Sequence, residues 1–322
     1  MKQQLSLLLF AALLLSTQFV AAQTIKVISP PDPNAVVLLV LEAKQEQFLP
    51  HGTTVEIVAA PAGGPQAMKK IITEKQVDIG LFNFMSGGEF YSQGITNLRL
   101  AGVHVWGGIA ILSKNTIAAN DWAAMATTTA AAIAIPALDT PAHRFALQAA
   151  TQRNIDISTM TTMGLSPAAA IKKITQPHNG VDFIFLPEPW LSIFLQQQQN
   201  GEQHYHLFAD TAKALSPKGV PLGALWIIDG ENCEQYDDFI YAFEQAIDYI
   251  YNPVHAAEVA NILQRGFKQH FAIDVPETTF SAMINRQILK LNFREATQVA
   301  PLLTKLWHKN NFATDPHIFY QR

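Results

Sequence analysis

Cysteine is almost absent: the 322 residues contain one, Cys233. A single thiol closes no internal disulfide and offers no paired thiolates to a structural metal, so stability has to come from core packing. Its simplest reading is a small buried hydrophobe. Charge is also scarce, at 15% of residues against 49% hydrophobic, with a net charge of −4. That balance carries no basic excess to follow a phosphate backbone, so nucleic acid is not an expected partner. It also argues against extended disorder, apart from the Gln196 to Gln199 run, which reads as an exposed helix end or loop.

The familiar catalytic and phosphate-binding signatures are missing as well. The chain has no G-x-G-x-x-G, no G-x-x-x-x-G-K-[ST] and no H-E-x-x-H. Gly164-Leu165-Ser166-Pro167-Ala168 begins like a nucleophile elbow but lacks the closing glycine, and its serine fits a helix N-cap. His204-Tyr205-His206 would place two imidazoles on one strand face, with no clear third ligand for a metal. Long apolar runs are confined to Leu5–Leu15, too short to span a bilayer. With Lys2 before it and Val20-Ala21-Ala22 after it, this run reads as the core of a secretory signal peptide over residues 1–22. Without that segment, 21 basic side chains face 26 acidic ones, a charge of −5.

What is present is a repeat. Gln66-Ala67-Met68-Lys69-Lys70-Ile71 leads to Val77-Asp78-Ile79-Gly80-Leu81-Phe82-Asn83, and Ala169-Ala170-Ile171-Lys172-Lys173-Ile174 leads to Val181-Asp182-Phe183-Ile184-Phe185-Leu186-Pro187. Each copy has a proline-marked helix start, an amphipathic helix with a Lys-Lys pair, a polar turn, Val-Asp and a strand. A spacing of about a hundred residues is too long for a solenoid period and suits one lobe. The order of shared features predicts two lobes of similar α/β build with a cleft between them.

In chain order, strands are expected at Thr24–Ser29, Thr54–Ala60, Asp78–Phe82, Leu98–Val105, Ile109–Ser113, Ala132–Ile135, Thr159–Met163, Asp182–Leu186, His204–Phe208 at a sheet edge, and Ala224–Ile228. Asp32-Pro33 opens a helix from Ala35 to Phe48; Val36–Leu41 alone suits a strand equally well, but total length favours helix. Thr140-Pro141 opens another helix, reaching about Asn154. Glu188-Pro189 reads as the first turn of a helix with proline at N1. From Gln235 onward the pattern is helical: Asp237–Tyr251, Pro253–Gly266, Pro276–Arg286 and Ala296–Asn310. Strands alternating with helices imply mainly parallel sheets. The recurring proline-marked starts offer backbone N–H groups at strand ends, either as ordinary capping or toward a ligand. Phe84, Trp106 and Trp190 beside them either stack on a planar ligand or fill core.

Four stretches together carry a resemblance: Val77-Asp78-Ile79-Gly80, Leu100-Ala101-Gly102-Val103-His104-Val105-Trp106-Gly107, Ile133-Ala134-Ile135-Pro136 before Thr140-Pro141, and Leu186-Pro187-Glu188-Pro189. In this order the chain resembles the periplasmic substrate-binding proteins of ABC importers, in the nitrate, sulfonate, taurine and thiamine-precursor group. The resemblance implies a two-lobe type II periplasmic-binding-protein fold, each lobe a mainly parallel sheet flanked by helices. Lobe 1 would comprise 23–105 plus 225–322 and lobe 2 would comprise 106–224, with hinges near Val105–Gly108 and Pro221–Leu225. It implies ligand contacts from Pro31, Asp32, Gly63, Gly64, Asn83, Phe84, Ser86, Trp106, Asp139, Thr140 and Glu188. It implies a monomeric, non-enzymatic, cofactor-free and metal-free periplasmic protein, whose partners are a small polar molecule or oxyanion and an inner-membrane ABC permease. The acids Asp32, Asp139 and Glu188 make a neutral or cationic heterocycle as compatible as an anion. Two other functions share this fold: a sensor presenting its bound state to a membrane receptor, and a pyrimidine-synthesising enzyme, a class that relies on histidine and cysteine clusters.

Overall fold

The computed structural model describes residues 23–61, 64–114, 116–127, 132–136, 143, 147–148, 150–156, 160–176, 179–199, 205–216, 219–228, 230–312 and 315–322. The expected signal peptide lies outside the described residues. So do Gly63, Asp139, Thr140, His204 and most of the helix expected after Thr140.

Strand β1 (Gln23–Ser29) runs through Pro30-Pro31 into helix α1 (Pro33–Ala43). The Asp32 carboxylate caps that helix, accepting the Asn34 N–H at 2.8 Å, and Pro33 fills the first turn, where no hydrogen bond is lost. Cap and proline decide the ambiguous Val36–Leu41 run, which is helical and buried. Then follow α2 (Gln45–Phe48), β2 (Thr53–Ala59), α3 (Gly64–Thr73), β3 (Ile79–Asn83), α4 (Phe84–Ser92) and β4 (Arg99–Val105). Past residues 106–108 come β5 (Ile109–Lys114), α5 (Trp122–Thr127), β6 (Ala132–Pro136), β7 (Thr161–Leu165), α6 (Pro167–Ile174), β8 (Phe183–Pro187), α7 (Trp190–Gln199), β9 (Tyr205–Asp210) and α8 (Thr211–Leu215). The chain then returns as β10 (Gly223–Ile227), α9 (Asp237–Tyr251), α10 (Ala256–Phe271), α11 (Glu277–Asn285), β11 (Leu291–Glu295) and α12 (Ala296–Lys309).

These strands form two sheets, one ordered β11-β4-β10-β3-β1-β2 and the other β7-β6-β8-β5-β9. Both are mixed rather than mainly parallel. The helix-linked pairs β1/β2, β1/β3, β6/β7 and β6/β8 are parallel. The strands that carry the chain between sheets, β5 and β10, enter from the far side and pair antiparallel with both neighbours. As expected, β9 is an edge strand, and Ser166 caps α6 by accepting the Ala169 N–H at 3.3 Å. Three elements escaped the sequence reading: α5, the short helix α8 and the edge strand β11.

The Val-Asp of each repeat has one structural meaning. Asp78 donates its backbone N–H to the Lys26 carbonyl at 2.9 Å, and its carboxylate accepts the Lys26 N–H at 2.7 Å. Asp182 does the same to Ala132, at 2.9 and 3.0 Å. Each aspartate thus pins the parallel neighbour of its own strand in register. The results match: Val27 lies opposite Ile79 in one sheet, and Ile133 opposite Phe183 in the other. The valines, Val77 and Val181, are 3% and 0% exposed and seat each turn on its core.

Among the described residues no helix is long and apolar enough to cross a membrane. Cys233 is buried, its thiol against the Gly230 carbonyl at 3.4 Å.

Candidate functional site: the seam between the sheets

The strand registers place the site. Gly223, first in β10, lies opposite both Asn83 and Val105, the last residues of β3 and β4, and β1 ends beside β3 on the same side. In the second sheet Ile109 lies opposite Pro187 and Ala110 opposite Asp210, with β6 ending beside β8. Residues 106–108 join one of these edges to the other, and the chain crosses back between Ser216 and Gly223. The carboxyl ends of the parallel strands in both sheets therefore face a common seam, the position at which open α/β sheets hold ligands.

The crossover geometry demands glycine. Gly108 has φ of +116°, and a Cβ there would lie 3.1 Å from Pro33 Cγ and 3.3 Å from Leu289 Cδ1. Trp106 anchors the same crossover. Its backbone N–H reaches the Lys290 carbonyl at 2.8 Å, its indole N–H reaches the Asn292 carbonyl at 2.7 Å, and the Arg294 guanidinium sits 4.0 Å from the ring centroid. The ring is 3% exposed.

Across the seam, the Trp190 indole donates to the Pro31 carbonyl at 3.2 Å. Asp32 follows, partly exposed, with Oδ1 accepting both the backbone and side-chain N–H of Asn34 at 2.8 Å. Burial pushes its carboxyl up to about 7, against the lowering effect of those two bonds. Asp32 has no basic partner among the described residues. Asn83 caps α4, accepting the Met85 N–H at 2.8 Å, and Ser86 follows one turn on at 9% exposed. Phe84 between them is fully buried in the hydrophobic core. Gly64 opens α3 beyond the end of β2.

Glu188 is placed differently from expectation. Glu188-Pro189 is a turn with a cis peptide bond, and α7 starts at Trp190, so Pro189 does not occupy N1 of the helix. The carboxylate, an implied ligand contact, is 0% exposed. It accepts the Ser192 N–H at 3.1 Å and lies 3.4 Å from Arg286, which in turn donates to the Ser192 hydroxyl. Burial raises its carboxyl to about 7, with Arg286 and Ser192 pulling the other way. Arg286 went unnoticed in sequence because its partner is 98 residues away.

Two other features lie apart from the seam. A surface cavity of about 820 Å³, lined in part by Arg99, Glu231, Cys233, His317 and Tyr320, sits at the opposite edge of the first sheet, where Ile227 pairs with Arg99. It contains none of the seam residues. Among the described residues no group of three or more His, Cys, Asp or Glu side chains could hold a metal ion.

No protein-family model matches the chain, and comparison with curated proteins in sequence gives no match. Solved structures do match in fold. An ABC transporter protein from Parabacteroides distasonis superposes with a TM-score of 0.71 at 14% identity, over 93% of this chain and 99% of the other. The periplasmic aliphatic sulphonate binding protein SsuA from Escherichia coli gives 0.69 at 16% identity, covering 93% and 92%. The periplasmic nitrate-binding protein NrtA from Synechocystis gives 0.60 at 14% identity, covering 82% and 70%. The chain has the two-lobe periplasmic-binding-protein fold, each lobe built on one of the two sheets.

Proposed function

We propose that the chain is a periplasmic solute-binding protein, which captures a small polar organic molecule or oxyanion by closure of its lobes and delivers it to an ABC permease. The observation that carries this reading is the seam: the ligand-holding edges of two sheets face each other across two chain crossovers. The sulphonate- and nitrate-binding proteins that share the fold support it, as does the signal peptide read in residues 1–22.

In this reading Pro31, Asp32, Asn83 and Ser86 contribute from the first lobe. The resemblance adds Gly63, Gly64, Asp139 and Thr140 to these contacts, of which all but Gly64 lie outside the described residues. Asp32 is the distinguishing group. A half-buried carboxyl with no cation beside it among the described residues accepts hydrogen bonds from ligand N–H groups when ionised and donates one when protonated. Trp106 and Glu188 shape the site from behind, Trp106 by fixing the crossover and Glu188 by capping the Ser192 N–H. The ligand favours the closed state only through its higher affinity for it.

The test is a thermal-shift screen of the mature protein against sulfonates, nitrate, pyrimidines and amines, followed by small-angle scattering with any hit. At a hundredfold excess over Kd a true ligand stabilises by about 2.7 kcal/mol, a shift of several degrees. The expected result is a shift with one class and a smaller radius of gyration in its presence. No shift with any class would overturn the reading.

A further inference from the structure

Two covalent crossovers join the lobes, and a third connection runs beside them without a covalent link. On the second lobe Ser192 and Gln196, at i and i+4 in α7, share one face of that helix, and Glu188 in the turn before it continues the row by accepting the Ser192 N–H. On the segment contributed by the first lobe's chain, Thr278, Thr279 and Arg286 line one face of α11 and its end. The two stripes meet antiparallel. Arg286 engages Glu188 and the Ser192 hydroxyl near the crossover, while Gln196 Nε2 donates to Thr278 Oγ1 at 2.7 Å and Gln196 Oε1 accepts from the Thr279 hydroxyl. Eight residues of helix carry the row about 12 Å outward. Its inner end is tied to the crossover itself, because the Glu188 N–H donates to the Gly108 carbonyl at 2.7 Å.

We infer that this polar row between α7 and α11 is a strap that sets the angle between the lobes. Rotation about the two crossovers moves α7 past α11, and every bond in the row spans that movement. The inner end acts as a pivot, because Glu188 is fully buried and its partner Arg286 is only 22% exposed. The outer end holds less firmly: Gln196 is half-buried and Thr278 is exposed, so water can replace the bond between them and leave only the one to the buried Thr279 hydroxyl. The row therefore restrains the ligand-free protein near one angle and yields from the outside inward. Gln196, Thr278 and Thr279 have no part in the proposed ligand site, which separates a test at the outer end from the binding function.

The experiment uses the full mature chain without ligand, carrying Cys233→Ser and one spin label in each lobe, at Glu74→Cys and Lys172→Cys, both exposed positions. Pulsed electron-electron distance distributions are compared for the parent, Gln196→Ala, and Arg286→Lys, with circular dichroism confirming the fold. Gln196→Ala decides the matter, since it removes the outer bonds and leaves unpaired only the buried Thr279 hydroxyl, not a buried charge. The expected result is a broader distribution, or a second distance, in Gln196→Ala, with Arg286→Lys producing at least as large a change. A Gln196→Ala distribution that superposes on the parent would overturn the inference, and would do so whether or not a ligand is ever found.

Discussion

Glu188 shows how burial reverses the usual pH behaviour of a carboxylate. Its folded pKa is about 7 against 4.5 ordinarily, and that of Asp32 is about 7 against 3.8. Over the interval between those values the folded chain holds protons that the unfolded chain has released. Both groups therefore add stability as the pH falls from about 7 toward 4.5. His104 opposes them. It is 0% exposed, packs edge-on to Phe243 at 5.0 Å, and burial lowers its pKa to about 3 from 6.5, so stability is lost as pH falls through that range. Between pH 6.5 and 4.5 two groups gain while one loses. With each pKa unit worth about 1.4 kcal/mol, and half-buried Asp32 discounted for solvent screening, the balance is on the order of 1–2 kcal/mol in favour of acid. The melting temperature of the ligand-free protein is expected to be a few degrees higher at pH 5 than at pH 8. Glu188→Gln keeps the shape and the bond from the Ser192 N–H, gives up the one from Arg286 and removes one titration, so it should narrow the difference between the two pH values. A melting temperature that falls steadily from pH 8 to pH 5 in both proteins would show that burial does not govern these carboxyls.

At the scale of elements, much of the fold was legible because its signals are local. Proline-marked caps set the start of α1, and Ser166 that of α6; hydrophobic runs marked the buried strands; the Val-Asp repeat marked the two pinned strands. β11 was missed because Leu-Asn-Phe-Arg-Glu is an edge sequence with one buried residue, and its identity depends on pairing with β4 almost two hundred residues earlier. Glu188 was misplaced for the same reason: an acid after a strand looks exposed until Arg286 is brought beside it by the fold. The repeat makes a prediction at this scale. The Asp182 carboxylate holds the Ala132 N–H and also pairs with Lys114 at 2.9 Å. Removing it leaves a backbone N–H without its charged acceptor, a loss of roughly 1.5–3 kcal/mol, whereas the partly exposed ion pair is worth at most about 1 kcal/mol. In urea denaturation, Asp182→Ala should therefore lower stability distinctly more than Lys114→Ala, and Asp78→Ala should behave like Asp182→Ala. Equal, small effects from Asp182→Ala and Lys114→Ala would mean that register is held by strand packing alone.

For the whole molecule, the arrangement of cores decides how the lobes unfold. The second sheet has two apolar faces. One, with Ile111, Ile133, Ile135, Phe183 and Phe185, is continuous with the core of the first sheet, while the other, with Ala110, Leu112, Ile184 and Leu186 packed against Phe194 of α7, takes in Ile288. Ile288 is 3% exposed and belongs to the segment between α11 and β11, so the first lobe's chain fills a place in the second lobe's core. A lobe that melted alone would expose that side chain, break the α7 and α11 row, and release Trp106 from Lys290 and Asn292. These losses fall on both lobes at once, which couples their unfolding. Calorimetry of the ligand-free protein is thus expected to give one transition, with calorimetric and van't Hoff enthalpies agreeing. Ile288→Ala should move that single peak downward, by an amount corresponding to roughly 2–5 kcal/mol, because it opens a cavity in the lobe it does not belong to by sequence. Two resolved peaks in the parent protein would show that the lobes fold as independent units and that the shared core does not couple them.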